Sequence, residues 1–526
     1  MGKGRVSQFI ATVKHLRTKQ IIYRVYFVLR NKFFPKKRFR ELTTTPSQFS
    51  WRLNDILYPN SFSNGEFKFL NITHKFHDDI DWNFNEYGKL WTYNLNYFDF
   101  LNQESLPTKE GLILIEDYIQ KEPTHQDGKE PYPISLRGIN WSKFLSKYQI
   151  RDNEIDNILF KHYQILLQNL EYHLMANHLL ENGFSLLFGA YYFQDEYMYT
   201  KAKQILEEQI KEQILDDGAH FELSPMYHQI LLHRLLDSIS LIIQNPWKRD
   251  ELNQLLKHAA KKMLAWLSTI TFKNGDIPML NDAAHNIAPS SQKLFAYAQR
   301  LNLQFEKTIE LKGSGYRKIE NKNYEAVLDV GNIGPDYQPG HAHADTFNFE
   351  MHINQKPIIV DTGTSTYEKN IQRKQERSTA AHNTVQIGAI EQTDVWGGFR
   401  VGRRAKIIDL LEKDNTIKAT HNGFKKFGYL HERTFSYSNN ELILLDKLSR
   451  PTQKLARAYF HFHPEVKEIQ IERNTVVVNK NIKFIFDGNI AIEIKNYNYA
   501  FGFNNTLQAK KIIVKFDQTL ETKICI

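Results

Sequence analysis

The 526-residue chain has one cysteine, Cys525, which excludes an intramolecular disulfide framework and any metal site built from several thiolates. Redox chemistry therefore leaves the compartment open. No run of about 18 or more apolar residues occurs, so no transmembrane helix is expected. No internal repeat or low-complexity tract stands out. Acidic residues are missing from residues 1–40, which carry twelve Lys and Arg but no Asp or Glu. Taking those twelve from the formal net charge of +9 leaves about −3 for the rest of the chain. The basicity belongs to one arm, and no nucleic-acid partner is expected for the bulk of the protein.

That arm, "TVKHLRTKQIIYRVYFVLRNKFF", lacks the features of a secretory signal. Its apolar segment Ile21 to Leu29 is interrupted by Arg24, and no small-residue cleavage site follows. A cytoplasmic or inner-membrane-peripheral location is the expectation. The arm reads as a basic amphipathic helix, either docked on the main body or touching an anionic membrane face or polyanion through residues 1–40.

What is present points to a large folded protein. Hydrophobic content is 41% and aromatic content 13%, and the length suggests two large domains. From about Ile155 to Leu301 apolar residues recur at helical spacing, as in "ILFKHYQILLQNLEYHLMANHLLENGFSLLFGAYYF". Residues 80–150, rich in Trp, Tyr and Asn, read as irregular structure with short helices. From about Asn323 the period becomes two, in "YEAVLDVG", "KPIIVDTG" and "ELILLDKL". The expected plan is α+β: a basic arm over 1–45, a helical domain over 46–315 and an antiparallel β domain over 316–526. A cleft between two such domains is a common place for a binding site.

Three constellations carry candidate chemistry. In "ANHLLENG", Asn177, His178 and Glu181 share one helix face and need partners or a ligand. In "HFELSPMYHQ", Tyr227 beside a proline-opened helix offers a phenolic acid or base, or ordinary aromatic packing. The third is "QPGHAHADTFNFEM", with His341, His343 and Asp345. If it enters a strand, His341 and His343 point to one face. Asp361 follows one apolar strand and His382 opens another, so three neighbouring strands present His343, Asp361 and His382 at one edge. Two imidazoles and a carboxylate suit zinc, although the spacing matches no short zinc motif; structural hydrogen bonding is the other reading. Arg137 and Arg400 offer positive charge to a polyanion. Asn140 and the rings of Trp141 and Trp396 offer sugar contacts, with packing the alternative for the two tryptophans.

"GHAHAD", "VDTGTSTY", "AHNTVQI", "NHLLENG" and "SPMYHQ", in this order of chemistry, resemble the heparinase II/III-like family of polysaccharide lyases, and "PYPISLRGINW" and "NGDIPMLNDAAH" extend the resemblance over about 85–510. It implies an (α/α) toroid followed by an antiparallel β-sandwich-like domain, and an anionic, uronate-containing polysaccharide or oligosaccharide as substrate. Carried over residue by residue, it makes His343, Asp361 and His382 ligands of a mainly structural Zn2+ beside the cleft. His341 falls on a catalytic histidine, while Asn177, His178 and Tyr227 fall on carboxylate neutralisation and proton transfer. Glu181 falls on a substrate contact, and Asp345 is left a local structural part. Such an enzyme removes the proton at C5 of a uronate and expels the C4 oxygen, which requires donors on the carboxylate and an acid and base within reach. Tyr227 is the expected acid; the base is Tyr227 itself for elimination on one face, or His341 or His178 for opposite faces. The alternatives are a hydrolase using Glu181 with Glu222 or Asp282, and a non-catalytic glycan-binding or assembly protein.

Overall fold

The computed structural model describes residues 3–34, 39–52, 56–77, 79–452 and 454–526. Helices α1 (Lys3–Val13) and α2 (Thr18–Phe33) form the basic arm. A small antiparallel sheet follows, β1 (Phe62–Ser63), β2 (Glu66–Phe69) and β3 (Ile72–Lys75), inside the span 46–315 assigned to the helical domain. Then come α3 (Lys89–Tyr97), α4 (Thr108–Gln120), α5 (Pro131–Tyr148), α6 (Asn153–Gln168), α7 (Ala176–Phe193), α8 (Glu196–Gln213), α9 (Pro225–Gln244), α10 (Arg249–Ile270) and α11 (Ser291–Arg300).

The expectation of irregular structure over 80–150 is corrected: α3, α4 and α5 are regular helices. The reason lies in α5, where every residue from Pro133 to Ser146 is buried. A helix covered on all sides displays no apolar stripe. Tyr163 on α6 fills the space left by Gly138 and Gly189, where a Cβ would stand 2.8 Å from its hydroxyl and 2.6 Å from its ring, respectively. Those two glycines let α5, α6 and α7 close on one another in the toroid.

From Tyr316 the chain is mainly β. A four-stranded antiparallel sheet holds β4 (Tyr316–Glu320), β5 (Tyr324–Asp329), β6 (Phe349–Ile353) and β7 (Lys356–Ile359). After the short helix α12 (Ile371–Glu376) come β8 (Val385–Ile387) and a hairpin of β9 (Val395–Trp396) and β10 (Arg400–Val401). The larger sheet contains β11 (Ile407–Lys413), β12 (Thr416–His421), β13 (His431–Tyr437), β14 (Glu441–Leu448), β15 (Ala456–His461), β16 (Ile469–Glu472), β17 (Thr475–Val478), β18 (Ile482–Gly502) and β19 (Asn505–Cys525). Its order is β11-β12-β13-β14-β19-β18-β17-β16, with β15 joining β19 to β8. Phe349 from the small sheet meets Phe435 and Phe460 from the large one, so the two sheets share a core as a sandwich. The long strand β18 runs through both "IKFIFDG" and "AIEIKNY" and is bent by bulges around Gly488. That glycine has φ +83°, and a Cβ there would meet the Thr519 carbonyl oxygen at 2.5 Å.

Candidate active site

The loop carrying "GHAHAD" is a turn, not the start of a strand; β6 begins only at Phe349. His341 and His343 nonetheless point the same way, because both imidazoles reach one carboxylate. Asp282 accepts from His341 Nδ1 through Oδ2 at 2.9 Å and from His343 Nε2 through Oδ1 at 2.9 Å. Arg373, on α12, clamps both oxygens of the same group, Nη2 lying 2.6 Å from Oδ2. Burial alone would raise the Asp282 pKa, but Arg373 and the two histidines overcome it and hold the carboxyl well below the usual range. An ionised Asp282 fixes the His341 proton on Nδ1, leaving Nε2 as a lone pair aimed at the cleft.

The helical wall meets that lone pair. The Asn177 amide nitrogen lies 3.4 Å from His341 Nε2 and donates to Glu222 Oε2 at 2.9 Å. Glu222 is buried, and burial raises its pKa despite nearby His341 and Asn177. Tyr227 stacks on His341 with ring centroids 3.9 Å apart, and its hydroxyl is 3.2 Å from that of Tyr367. Burial first, then Tyr367, Asp282 and Glu222, push the Tyr227 phenol well above its ordinary value, so it holds its proton. Next to Asn177 on α7, His178 Nδ1 contacts Glu171 Oε1 at 3.0 Å. Burial works to lower the His178 pKa, but the Glu171 carboxylate outweighs it and the value is raised. His178 thus carries a proton more readily than a free histidine, with Nε2 turned away from Glu171.

The backbone that carries these side chains is strained at several points. Met175 and Ala176 before Asn177, Leu223 before Ser224, and Asn281 before Asp282 all have positive φ, from 53° to 62°. Such conformations cost about 1–3 kcal/mol each and need a surround that holds them. The surround is visible: Asn281 Nδ2 donates to the Leu223 carbonyl at 3.0 Å, and Asn281 Oδ1 accepts from His343 N at 3.1 Å. Ser224 caps α9 by accepting from Tyr227 N at 3.3 Å and donates to the Asp282 carbonyl at 2.6 Å. One serine therefore ties the tyrosine-bearing helix to the loop that orients His341.

Several expected contacts lie elsewhere. Arg137, Asn140 and Trp141 are fully buried in α5 rather than at the cleft. The Arg137 guanidinium donates to the carbonyls of Asn96 at 3.1 Å and Gly128 at 2.9 Å. Asn140 Nδ2 donates to the Tyr97 carbonyl at 2.9 Å, and Trp141 packs edge-on against Phe98 at 5.3 Å. With its whole surround taken up by protein, this trio braces the toroid and is corrected from substrate contact to core. Glu181 is likewise buried and accepts from Arg234 Nε at 2.8 Å, so one of its oxygens is already committed. Trp396 donates from Nε1 to Thr12 Oγ1 of α1 at 3.2 Å, and Arg400 lies 4.8 Å above its ring. Arg400 itself stays exposed at the rim, next to Phe399, whose ring is 6.0 Å from that of His341.

His343, Asp361 and His382 are neighbours, but not on three adjacent strands: β8, which follows His382, pairs with β15 of the large sheet. The His343 and His382 rings are 5.3 Å apart, and His382 Nδ1 contacts Asp361 Oδ2 at 2.7 Å. Buried His343 Nδ1 and His382 Nε2 have no hydrogen-bond partner. The donor types fit zinc. Asp361, however, also accepts from Asn348 and from Gly363 N, and among the described residues no three metal-binding groups converge as they stand. Burial pushes the Asp345 carboxyl up, and its oxygens do not join this pair.

Sequence reasoning missed Arg373, Tyr367 and Glu171 and considered Asp282 only as a hydrolytic carboxylate. The one signal for the first two was their position at the end of "VDTGTSTY" and in the helix after it. The hydrolase reading loses its acids here: Glu181 is paired with Arg234, Glu222 with Asn177, and Asp282 with Arg373 and two histidines.

A toroid joined to an antiparallel sandwich, with an Asn, two His and a Tyr gathered at their junction, defines a class of carbohydrate-active proteins. The chain belongs to the heparinase II/III family: the family's N-terminal model, "Heparinase II/III N-terminus", matches residues 13–305 and the "Heparinase II/III-like, C-terminal" model matches 306–526. It is similar to the heparin-sulfate lyase of Bacteroides stercoris, 24% identical over 253 residues, which span 42% of this chain and 37% of that protein. A heparinase III crystal structure shares the fold at 16% identity and TM-score 0.67, covering 86% of this chain and 80% of that one. The heparan sulfate lyase from Pedobacter heparinus does so at 16% identity and TM-score 0.55, covering 88% and 81%.

Proposed function

We propose that the protein is a polysaccharide lyase that cuts a uronate-containing, glycosaminoglycan-like chain by β-elimination. The observation that carries this reading is the Asp282–His341 pair stacked on Tyr227, with Asn177 3.4 Å from the free imidazole nitrogen. Membership of the family supports it, as do the lyase names of the relatives.

In this reading Asn177 and protonated His178 donate to the uronate carboxylate and stabilise the negative charge that develops when C5 loses its proton. His341 Nε2 takes that proton, and the electron pair forms the C4–C5 double bond as the C4–oxygen bond breaks. The Tyr227 hydroxyl gives its proton to the departing oxygen, and the stacked His341 can return the one it gained. A phenol pushed up by burial is suited to the acid role. A His341 base was expected for elimination across opposite faces; with the His341 and Tyr227 rings 3.9 Å apart, this base and the acid instead reach the sugar from one face, which favours syn elimination. Arg400 at the rim supplies charge for the anionic chain. Zinc is proposed at His343, Asp361 and His382, supported by the two buried nitrogen atoms without partners. It would supply a fixed positive centre bracing the β wall, with the reacting atoms left to the protein side chains.

A panel of uronate polymers, followed by the ultraviolet absorbance of the unsaturated product, tests the activity. The expected result is a rise with at least one glycosaminoglycan, reduced about 10²–10⁴-fold in Tyr227→Phe. New reducing ends without absorbance overturn elimination, and binding with neither signal overturns catalysis. Elemental analysis of the purified protein should find zinc that is lost in His343→Ala and Asp361→Ala; equal metal content in all three sinks the zinc proposal.

A further inference from the structure

The basic arm is inside out. Its polar side chains face the protein: Gln20 Nε2 donates to the Leu174 carbonyl at 3.1 Å, Arg24 Nε to the His173 carbonyl at 3.3 Å and Arg30 Nη2 to Asn169 Oδ1 at 2.7 Å. Lys19 pairs with Glu208 at 3.3 Å, and Arg17 pairs with Glu212. Tyr23 and Phe27 pack inward on Tyr172 and His173, but most of its other large apolar side chains face outward. Of the twenty-seven large apolar residues exposed among the described residues, eleven fall between Val6 and Phe34. On α2 and just beyond it, Val28, Phe33 and Phe34 are 67%, 61% and 74% exposed. A surface helix normally buries its apolar stripe and leaves its cations in water. Here the protein pairs Arg17, Lys19, Arg24 and Arg30 and leaves most of the stripe bare, which makes a patch of the kind that marks an interaction surface.

We propose that this face docks the protein onto an anionic lipid bilayer, with α1 and α2 lying in the interface. Two observations choose the occupant. Residues 1–40 have twelve cations and no carboxylate, which complements anionic headgroups and opposes packing against a second copy of the same arm. Lys14 and Lys32 are exposed, and docking would set their charge among those headgroups. No helix among the described residues is long and apolar enough to cross a membrane, and the 16 residues of α2 reach about 24 Å, short of the bilayer core. The arm therefore lies on the surface and does not span it.

Its position ties docking to the cleft. Beside the α2 contacts with 168–174, α1 reaches the β domain through Thr12 and Trp396, and Arg17 lies 4.1 Å above the Tyr337 ring. The arm thus spans both walls of the cleft on one side, and docking would hold the active site at a set height and angle above the membrane. The inference stands independently of the lyase reading, since it is tested by binding alone.

Sedimentation of the full chain with vesicles of phosphatidylcholine, with and without about a third phosphatidylglycerol, tests it. The protein should sediment with the anionic vesicles, at least tenfold less with phosphatidylcholine alone, and be partly released from the anionic vesicles by high salt. The variant Val25→Glu/Leu29→Glu/Phe33→Glu, altered only at exposed positions, should lose at least tenfold in bound fraction while keeping its melting temperature and its activity on soluble oligosaccharide. Wild-type protein that stays in the supernatant overturns the proposal. So does a triple variant that binds as well as wild type, or a wild-type dimer that the triple variant turns into a monomer without any vesicle binding.

Discussion

His178 and His341 face one cleft from different domains, and each rests its Nδ1 on a buried carboxylate, at 3.0 and 2.9 Å. The carboxylates differ. Glu171 has Asn182 as its other side-chain partner, a neutral amide, so its charge is left to act on His178. Asp282 shares its charge with Arg373 and with His343. The first pair makes a proton-carrying donor; the second makes an oriented ring whose partner's charge is already balanced. The same residue type is thereby assigned opposite work by what stands behind its carboxylate.

The comparison can be broken in three ways, from the largest effect on turnover to the smallest. Asp282→Asn should lower turnover about 10³–10⁴-fold, because an amide no longer selects the required tautomer. It should also cost about 3–5 kcal/mol of stability by stranding Arg373. His341→Gln should lose as much activity with little change in a denaturant melt, since it leaves the Asp282–Arg373 pair intact. Equal stability losses in the two variants would mean that Asp282 matters here only as a structural anchor.

His178→Gln should reduce turnover about 10²-fold, the scale of one lost donor to a developing anion. Its raised pKa also has a signature in stability. The bound proton contributes stability that is fully present below its ordinary value of 6.5 and is lost as pH rises through the raised folded value. Glu171→Gln should flatten that dependence. Denaturant melts from acid to neutral pH check it, and an unchanged slope in Glu171→Gln refutes the pairing. Trp141→Ala should leave KM unchanged while costing about 3–5 kcal/mol of stability, as expected of a core ring; a raised KM in a protein of unaltered stability returns Trp141 to the cleft.

The residue types at the site were legible in the chain because local spacing carries them: Asn177 and His178 on one helix turn, Tyr227 in the first turn of a proline-opened helix, and His341 and His343 two apart. The reasoning about His341 and His343 reached the right common direction by the wrong element, since a turn and not a strand aims them. Arg137, Asn140 and Trp141 were misjudged because polar and aromatic residues look alike in sequence whether they line a cleft or fill a fully covered helix. The arm was read as amphipathic, but which side would face the protein depends on acceptors around Leu174, His173 and Gln168, more than a hundred residues away.

By itself, then, the chain determined the order of a helical and a β domain, the absence of a disulfide framework and the local spacings that set Asn177 beside His178 and His341 near His343, since each follows from composition or from neighbours within about two helical turns. Only the tertiary structure decided their work. It brought Asp282 onto two histidines some sixty residues away, set Arg373 against it, gave Glu171 to His178 and turned the basic arm's apolar face outward. Those outcomes depend on which distant charge or carbonyl reaches a side chain first, and burial makes such pairings count far more than they do in water.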